Sequence, residues 1–103
     1  MTHRRAPEAP GPSTTITWDA EKAATNRRLH GVSFEEAASA LLDPFALEAP
    51  DLIDPDRTIL IGMSARTRVL FVVVLVNDTE DITRIISARK ASPSQRKRYE
   101  EAP

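Results

Sequence analysis

The 103-residue sequence has no cysteine. That excludes a disulfide framework, a thiol nucleophile and a cysteine-ligated zinc site. Two histidines without cysteines give little from which to build a transition-metal site, so neither metal nor cofactor is expected. The three glycines, Gly11, Gly31 and Gly62, stand far apart, so no glycine-rich loop can cradle a phosphate. Gly-x-Ser-x-Gly and His-Glu-x-x-His patterns are missing as well. The longest apolar run, Val69 to Val76, falls well short of the roughly 20 residues a membrane-spanning helix needs. The opening residues carry no apolar signal-peptide core. A soluble, cytoplasmic protein without membrane contact is expected. The 41% hydrophobic content excludes wholesale disorder, and the length suits one domain.

The net charge of −1 conceals a segregation. From Arg84 to Tyr99 there are six bases and no acid, whereas the remainder holds eight bases against fifteen acids. Between Asp43 and Asp56 the chain carries five acids and no base. A basic end on a nearly neutral molecule attracts phosphates. The competing reading of such a run is a solvated helix face.

Residues 1–13, with Pro7, Pro10 and Pro12 among polar residues and alanines, offer nothing to bury and are expected to form a disordered leader. Residues 14–103 then form a single domain. Thr15–Trp18 reads as a short strand. Asp19 can cap a helix from Ala20 to His30, and Gly31 suits the left-handed position that ends it. Ser33-Phe34-Glu35-Glu36 has the form of a capping box, followed by an apolar stripe of Phe34, Ala37, Ala38, Leu41 and Leu42. Pro44 stops this second helix. Phe45–Glu48 could be a brief strand. Thr58–Met63 and Val69–Val76 are β-branched runs of the kind buried on both faces, joined by a hairpin loop over Ser64–Arg68. After a turn over Asn77–Asp81 comes a third strand, Ile82–Ala88. Ser92, Pro93 and Gln95 predict another capping box and a closing helix from Pro93 to about Glu101. The expected class is α+β: two N-terminal helices, a central antiparallel β-meander of three to four strands and a C-terminal helix.

What remains for chemistry is arginine, lysine, one histidine in the ordered region and carboxylates. This set suits acid–base work on a phosphodiester, with guanidinium groups neutralising phosphate oxygens. Arg84 stands in mid-strand between isoleucines, where a charge is costly without a partner or an open cleft. A salt bridge to Glu36 or Asp81 is its structural alternative. Simple alternation puts Arg84 on a face with Ile82 and Ile86, and Arg89 on the other with Ile85 and Ser87. Arg57, which could instead pair with Asp54 or Asp56, opens a neighbouring strand and could reach the same cleft as Arg84. Lys22, Asn26 and His30 recur along one helix face. A helix-terminal histidine is often only a dipole partner. Trp18 reads as a core anchor. The two-helix segment superficially matches a helix-turn-helix, but its second helix presents Glu35, Glu36 and Ser39 and no residue suited to reading bases, so it fails as a recognition helix.

Trp18-Asp19-x-x-Lys22-x-x-x-Asn26, followed by His30-x-Val32-x-Phe34-Glu35-Glu36-Ala37, resembles the opening of the BrnT toxins. Arg57 before Ile61-Gly62-Met63-Ser64, then Arg84-Ile85-Ile86-Ser87-Ala88-Arg89-Lys90-Ala91 and Arg98-Tyr99-Glu100, continue the resemblance over about Ile16 to Glu101. It implies a RelE-like fold and a metal-independent endoribonuclease toxin of a type II toxin–antitoxin pair, which cleaves RNA and halts translation. Its implied partner is a BrnA-like ribbon-helix-helix antitoxin, in a heterotetramer that meets DNA only through the antitoxin. In the resulting assignment Arg84, Arg89, Arg57 and His30 are catalytic, and Lys90, Lys22, Arg96 and Arg98 bind substrate. Many relatives carry His or Tyr after the valines of the second central strand, where this chain has Leu75-Val76-Asn77-Asp78. That departure leaves a second reading: a weakened or non-catalytic module whose basic end receives an acidic partner protein.

Overall fold

The structure is a computed structural model that describes residues 4–5 and 14–102. Its elements, in chain order, are β1 (Arg4–Arg5), β2 (Thr15–Thr17), α1 (Ala20–His30), α2 (Phe34–Leu41), β3 (Leu47–Pro50), β4 (Arg57–Met63), β5 (Val69–Asn77), β6 (Ile82–Lys90) and α3 (Pro93–Glu101). The expected α+β class holds. Residues 1–3 and 6–13 of the expected leader lie outside the described residues.

Local chemistry accounts for the helices. Asp19 caps α1 by accepting the Lys22 amide at 2.9 Å, and Gly31 closes it with φ of 69°. Ser33 caps α2 through the Glu36 amide at 3.0 Å. The expected capping box there is only half made, because the Glu36 side chain turns to Arg68 instead. The helix-turn-helix reading took Glu36 as exposed, but it is buried. At α3 both halves of the capping box are present. α2 ends at Leu41, so Leu42 becomes its C-cap and leaves the stripe half exposed.

Among the described residues, six strands form one sheet in the order β1-β3-β4-β5-β6-β2. The run β3 to β6 is the expected antiparallel meander, with β3 two residues later than the sequence suggested and Phe45 left exposed before it. β2 joins the far edge parallel to β6, pairing Thr17 with Arg84. Short connections cannot make a parallel pair; here the whole chain between β2 and β6 serves as the crossover.

The sheet is buried on both faces, but unequally. On one face α1 and α2 cover Leu60, Leu70, Val72, Val74, Ile85 and Ala88, with Phe34, Leu41 and Val32 beneath the helices. Trp18 meets Phe34 edge-to-face at 6.2 Å, the anchor role expected of it. Gly62 lets α2 approach, since a Cβ there would sit 2.7 Å from the Ala40 carbonyl oxygen. On the other face α3 covers only one end, where Leu47, Ile61, Val69 and Tyr99 cluster with Phe71 and Ile59 at the margin. Asp43 ties this end together: it accepts the Met63 amide at 2.8 Å, the Phe45 amide at 2.9 Å and the Tyr99 hydroxyl.

Candidate functional site

Residues directly opposite in neighbouring strands share a sheet face. Arg57 is opposite Leu75, and Leu75 is opposite Arg84. The two arginines therefore flank one leucine in a single row, about 10 Å apart across two strand spacings. This row lies on the α3 face, beyond the end that α3 covers. The next row, Ile59, Val73 and Ser87, is followed by Ile61, Phe71 and Arg89.

Arg89 reaches this face through a β-bulge. Between the pairs Val73–Ser87 and Val74–Ile85, β6 holds one more residue, Ile86, than β5. The extra residue re-phases the strand. Ile85 and Ala88 both enter the core under α1 and α2, while Arg84, Ser87 and Arg89 all face the opposite side. The expectation that Arg84 and Arg89 lie on opposite faces is thus corrected: alternation is counted across a site where it is interrupted.

The three arginines are held differently. Arg57 pairs with Asp54 at 3.3 Å, at the surface. Arg89 stacks its guanidinium on the Phe71 ring, 4.1 Å from the centroid, and donates to Gln95 at 3.2 Å. Arg84 is exposed and has no hydrogen-bond or ion-pair partner among the described residues. Neither salt bridge considered for it forms. Glu36 lies under α2 and is taken by Arg68, with Nε at 2.9 Å, by the Ser64 hydroxyl at 2.7 Å and more distantly by Arg66. Asp81 accepts the Thr14 hydroxyl. The Arg68 hydrogen bond holds the Glu36 carboxyl below its ordinary pKa against burial, which pushes it up, and raises that of Arg68 in turn.

The remaining candidates occupy other positions. Past Arg84, no strand among the described residues lies on the outer side of β6, and α1 runs there instead. Asn26 acts as a strand would: its amide oxygen accepts the Ala88 N–H at 3.1 Å and its nitrogen donates to the Ala88 carbonyl at 2.8 Å and to that of Val32 at 3.0 Å. Spacing alone grouped Asn26 with Lys22 and His30, but it is buried and structural. Lys22 and His30 stay exposed along an open cleft of about 440 Å³ between α1 and β6, lined also by Thr25, Leu29, Ile86 and Ser87. Ser87 thus borders both the cleft and the arginine face. Lys90, opposite Leu70, points to the α1–α2 side, away from Arg89. Arg96 and Arg98 are exposed on α3. Phe71 and Gln95 as partners of Arg89 escaped the sequence reading; a Gln at the third helical position signals only a cap.

Among the described residues, no group of three or more His, Cys, Asp or Glu side chains is placed to hold a metal ion, and no helix is long and apolar enough to cross a membrane.

The comparisons with known proteins agree with one another. Among solved structures, the Brucella abortus ribonuclease toxin BrnT, crystallised at 1.1 Å resolution, is similar to this chain with a TM-score of 0.63 and 27% identity, over 78% of this chain and 99% of that one. No curated protein matches. The family model for the ribonuclease toxin BrnT of type II toxin–antitoxin systems matches residues 18–95. That span runs from Trp18 at the entry to α1, through the row of arginines and the bulge, to Gln95 in α3, and the chain belongs to the BrnT family of type II ribonuclease toxins.

Proposed function

We propose that the uncovered half of the sheet is the active face of an endoribonuclease that works without a metal ion. The observation that carries the reading is the convergence of Arg57, Arg84 and Arg89 on one open face. The ribose 2′-hydroxyl attacks the adjacent phosphorus while the bond to the 5′-oxygen breaks, giving a cyclic phosphate and a free 5′-hydroxyl. Charge gathers on the phosphorane oxygens, and preorganised guanidinium donors stabilise it. Arg84, with its donors unengaged, makes the principal contact, Arg89 the second, and Arg57 holds a neighbouring phosphate. His30 exchanges the proton, since an imidazole nitrogen can both accept and donate one. Its cleft meets the arginine face at Ser87, so the RNA strand passes over the edge of β6. Lys22, Lys90, Arg96 and Arg98 supply flanking phosphate contacts.

Cleavage of cellular RNA halts translation, and an antitoxin of the BrnA-like ribbon-helix-helix class covers the basic face when the toxin is silent. The partner contacts DNA through its own domain, in a heterotetramer. Losing one stabilising donor lowers the rate about 100–1,000-fold. Arg84→Ala should therefore lose RNA cleavage in EDTA-containing buffer while its circular dichroism and melting stay those of the wild type. Full cleavage by folded Arg84→Ala refutes its role. Binding of RNA without products, in wild type and variant alike, supports the non-catalytic module, which the Leu75 and Asn77 positions favour.

A further inference from the structure

Arg89 is the most firmly held cation of the open face, and the manner of its holding leaves one edge unoccupied. Stacking on Phe71 uses the flat face of the guanidinium and leaves its in-plane N–H groups for other partners. Both of its hydrogen bonds fall on one nitrogen: Nη1 donates to the Lys90 carbonyl at 3.1 Å and to Gln95 Oε1 at 3.2 Å. The same Gln95 oxygen accepts the Ser92 amide at 2.9 Å, so the group that closes the α3 cap also fixes the guanidinium. Nε and Nη2 have no hydrogen-bond partner among the described residues. These two nitrogens make up one side of the fork, whose parallel N–H bonds match two oxygens of a phosphate.

We propose that Phe71 and Gln95 are positioning residues that lock Arg89 so that its Nε/Nη2 edge grips a phosphodiester of the RNA. The proposal rests on the ribonuclease reading above. A mobile arginine loses rotamer freedom when it binds, whereas this one has lost it on folding, before substrate arrives. Gln95 serves better than a simple cap residue because it orients the guanidinium without neutralising its charge. Phe71 lies opposite Arg89 on β5, so the ring is set by strand register and not by a loop.

The test is single-turnover cleavage of a short single-stranded oligoribonucleotide by purified wild type, Phe71→Leu, Phe71→Tyr, Gln95→Ala, Arg89→Ala and the doubles Phe71→Leu/Arg89→Ala and Gln95→Ala/Arg89→Ala. Phe71→Leu and Gln95→Ala should each slow cleavage about tenfold, the scale of one cation–π or oriented hydrogen bond. Phe71→Tyr, which keeps the ring, should restore the rate. In the Arg89→Ala background neither substitution should add a further loss, since both act through Arg89. The Arg89 Nε–H signal in ¹H–¹⁵N spectra, identified by its absence in Arg89→Ala, should shift on adding the uncleavable 2′-O-methyl oligonucleotide, and the shift should shrink in Phe71→Leu and Gln95→Ala. If Phe71→Leu fails to fold, Gln95→Ala, which removes a half-buried side chain at a helix end and not one in the core, still decides. Wild-type rates in folded Phe71→Leu and Gln95→Ala beside an impaired Arg89→Ala overturn the positioning role alone, as does full additivity in the doubles. Equal cleavage by wild type and Arg89→Ala, or no cleavage by wild type, overturns the ribonuclease role of Arg89 and the proposal with it.

Discussion

Asn26→Ala removes a side chain that stands in for a missing strand. Three backbone groups lose their partner at once: the N–H and C=O of Ala88 and the C=O of Val32. The site is 6% exposed, so little water replaces what is lost. Each buried group left unsatisfied costs about 1–3 kcal/mol. The two carbonyls sit toward the lower end, because the adjoining cleft admits some solvent, and the sum is about 3–5 kcal/mol. A domain of this size has about 5–15 kcal/mol of stability in all. Melting followed by circular dichroism should therefore fall by about 15–25 °C. Amide exchange at Ala88 should accelerate before that of the central strand β5. Asn26→Asp is the sharper control: nearly the same shape, it keeps an acceptor for the Ala88 N–H but turns a negative oxygen toward two carbonyls, and should do no better than alanine. A melting point within about 3 °C of the wild type, with the Ala88 amide still protected, would refute the view that Asn26 closes this edge.

Glu36→Gln should cost about 3 kcal/mol, the low end for breaking a buried ion pair, because Arg68 is partly exposed. Folding lowers the Glu36 pKa from its ordinary 4.5, so its contribution is complete above that value and fades as pH falls through the lower folded-state value; urea midpoints from pH 7 to pH 3 should decline more gently in the variant. Gly62→Ala should lose about 1–3 kcal/mol by overpacking, since the added carbon meets the Ala40 backbone and not a movable side chain, and a wild-type midpoint would show that α2 can retreat freely. Asp43→Ala should cost about 2 kcal/mol and loosen α3 from the sheet, visible as faster amide exchange at Met63 and along α3.

The elements that chemistry marks locally were legible in the sequence. Asp19, Gly31 and Ser92 set helix ends through their own backbone bonds, and the valine-rich runs announced strands buried on both faces. Long-range partners were less legible. Glu36 reads as a cap residue until Arg68, thirty-two positions on, claims it. Phe45 looked like the start of a strand, yet its amide turns back to Asp43, and pairing begins only at Leu47. That β2 lies parallel to β6 depends on the whole intervening chain. At the candidate site, Arg84 was recognisable from its own neighbours, because a charge among isoleucines has few uses. Arg89 was placed on the wrong face because a bulge depends on how two strands align, and neither strand alone encodes that.

The unpaired Ile86 is the one position where this strand could shorten by a residue and keep both of its faces. Exchanging Ile86 for another aliphatic residue alters one contact. Deleting it would make Ile85 and Ser87 neighbours opposite Val74 and Val73, so the ladder would run unbroken, with Ala88 still under the helices and Arg89 still on the open face. What the extra residue contributes is local, a bend and added twist of the strand beside the arginines, and its loss would straighten that edge without turning either face over.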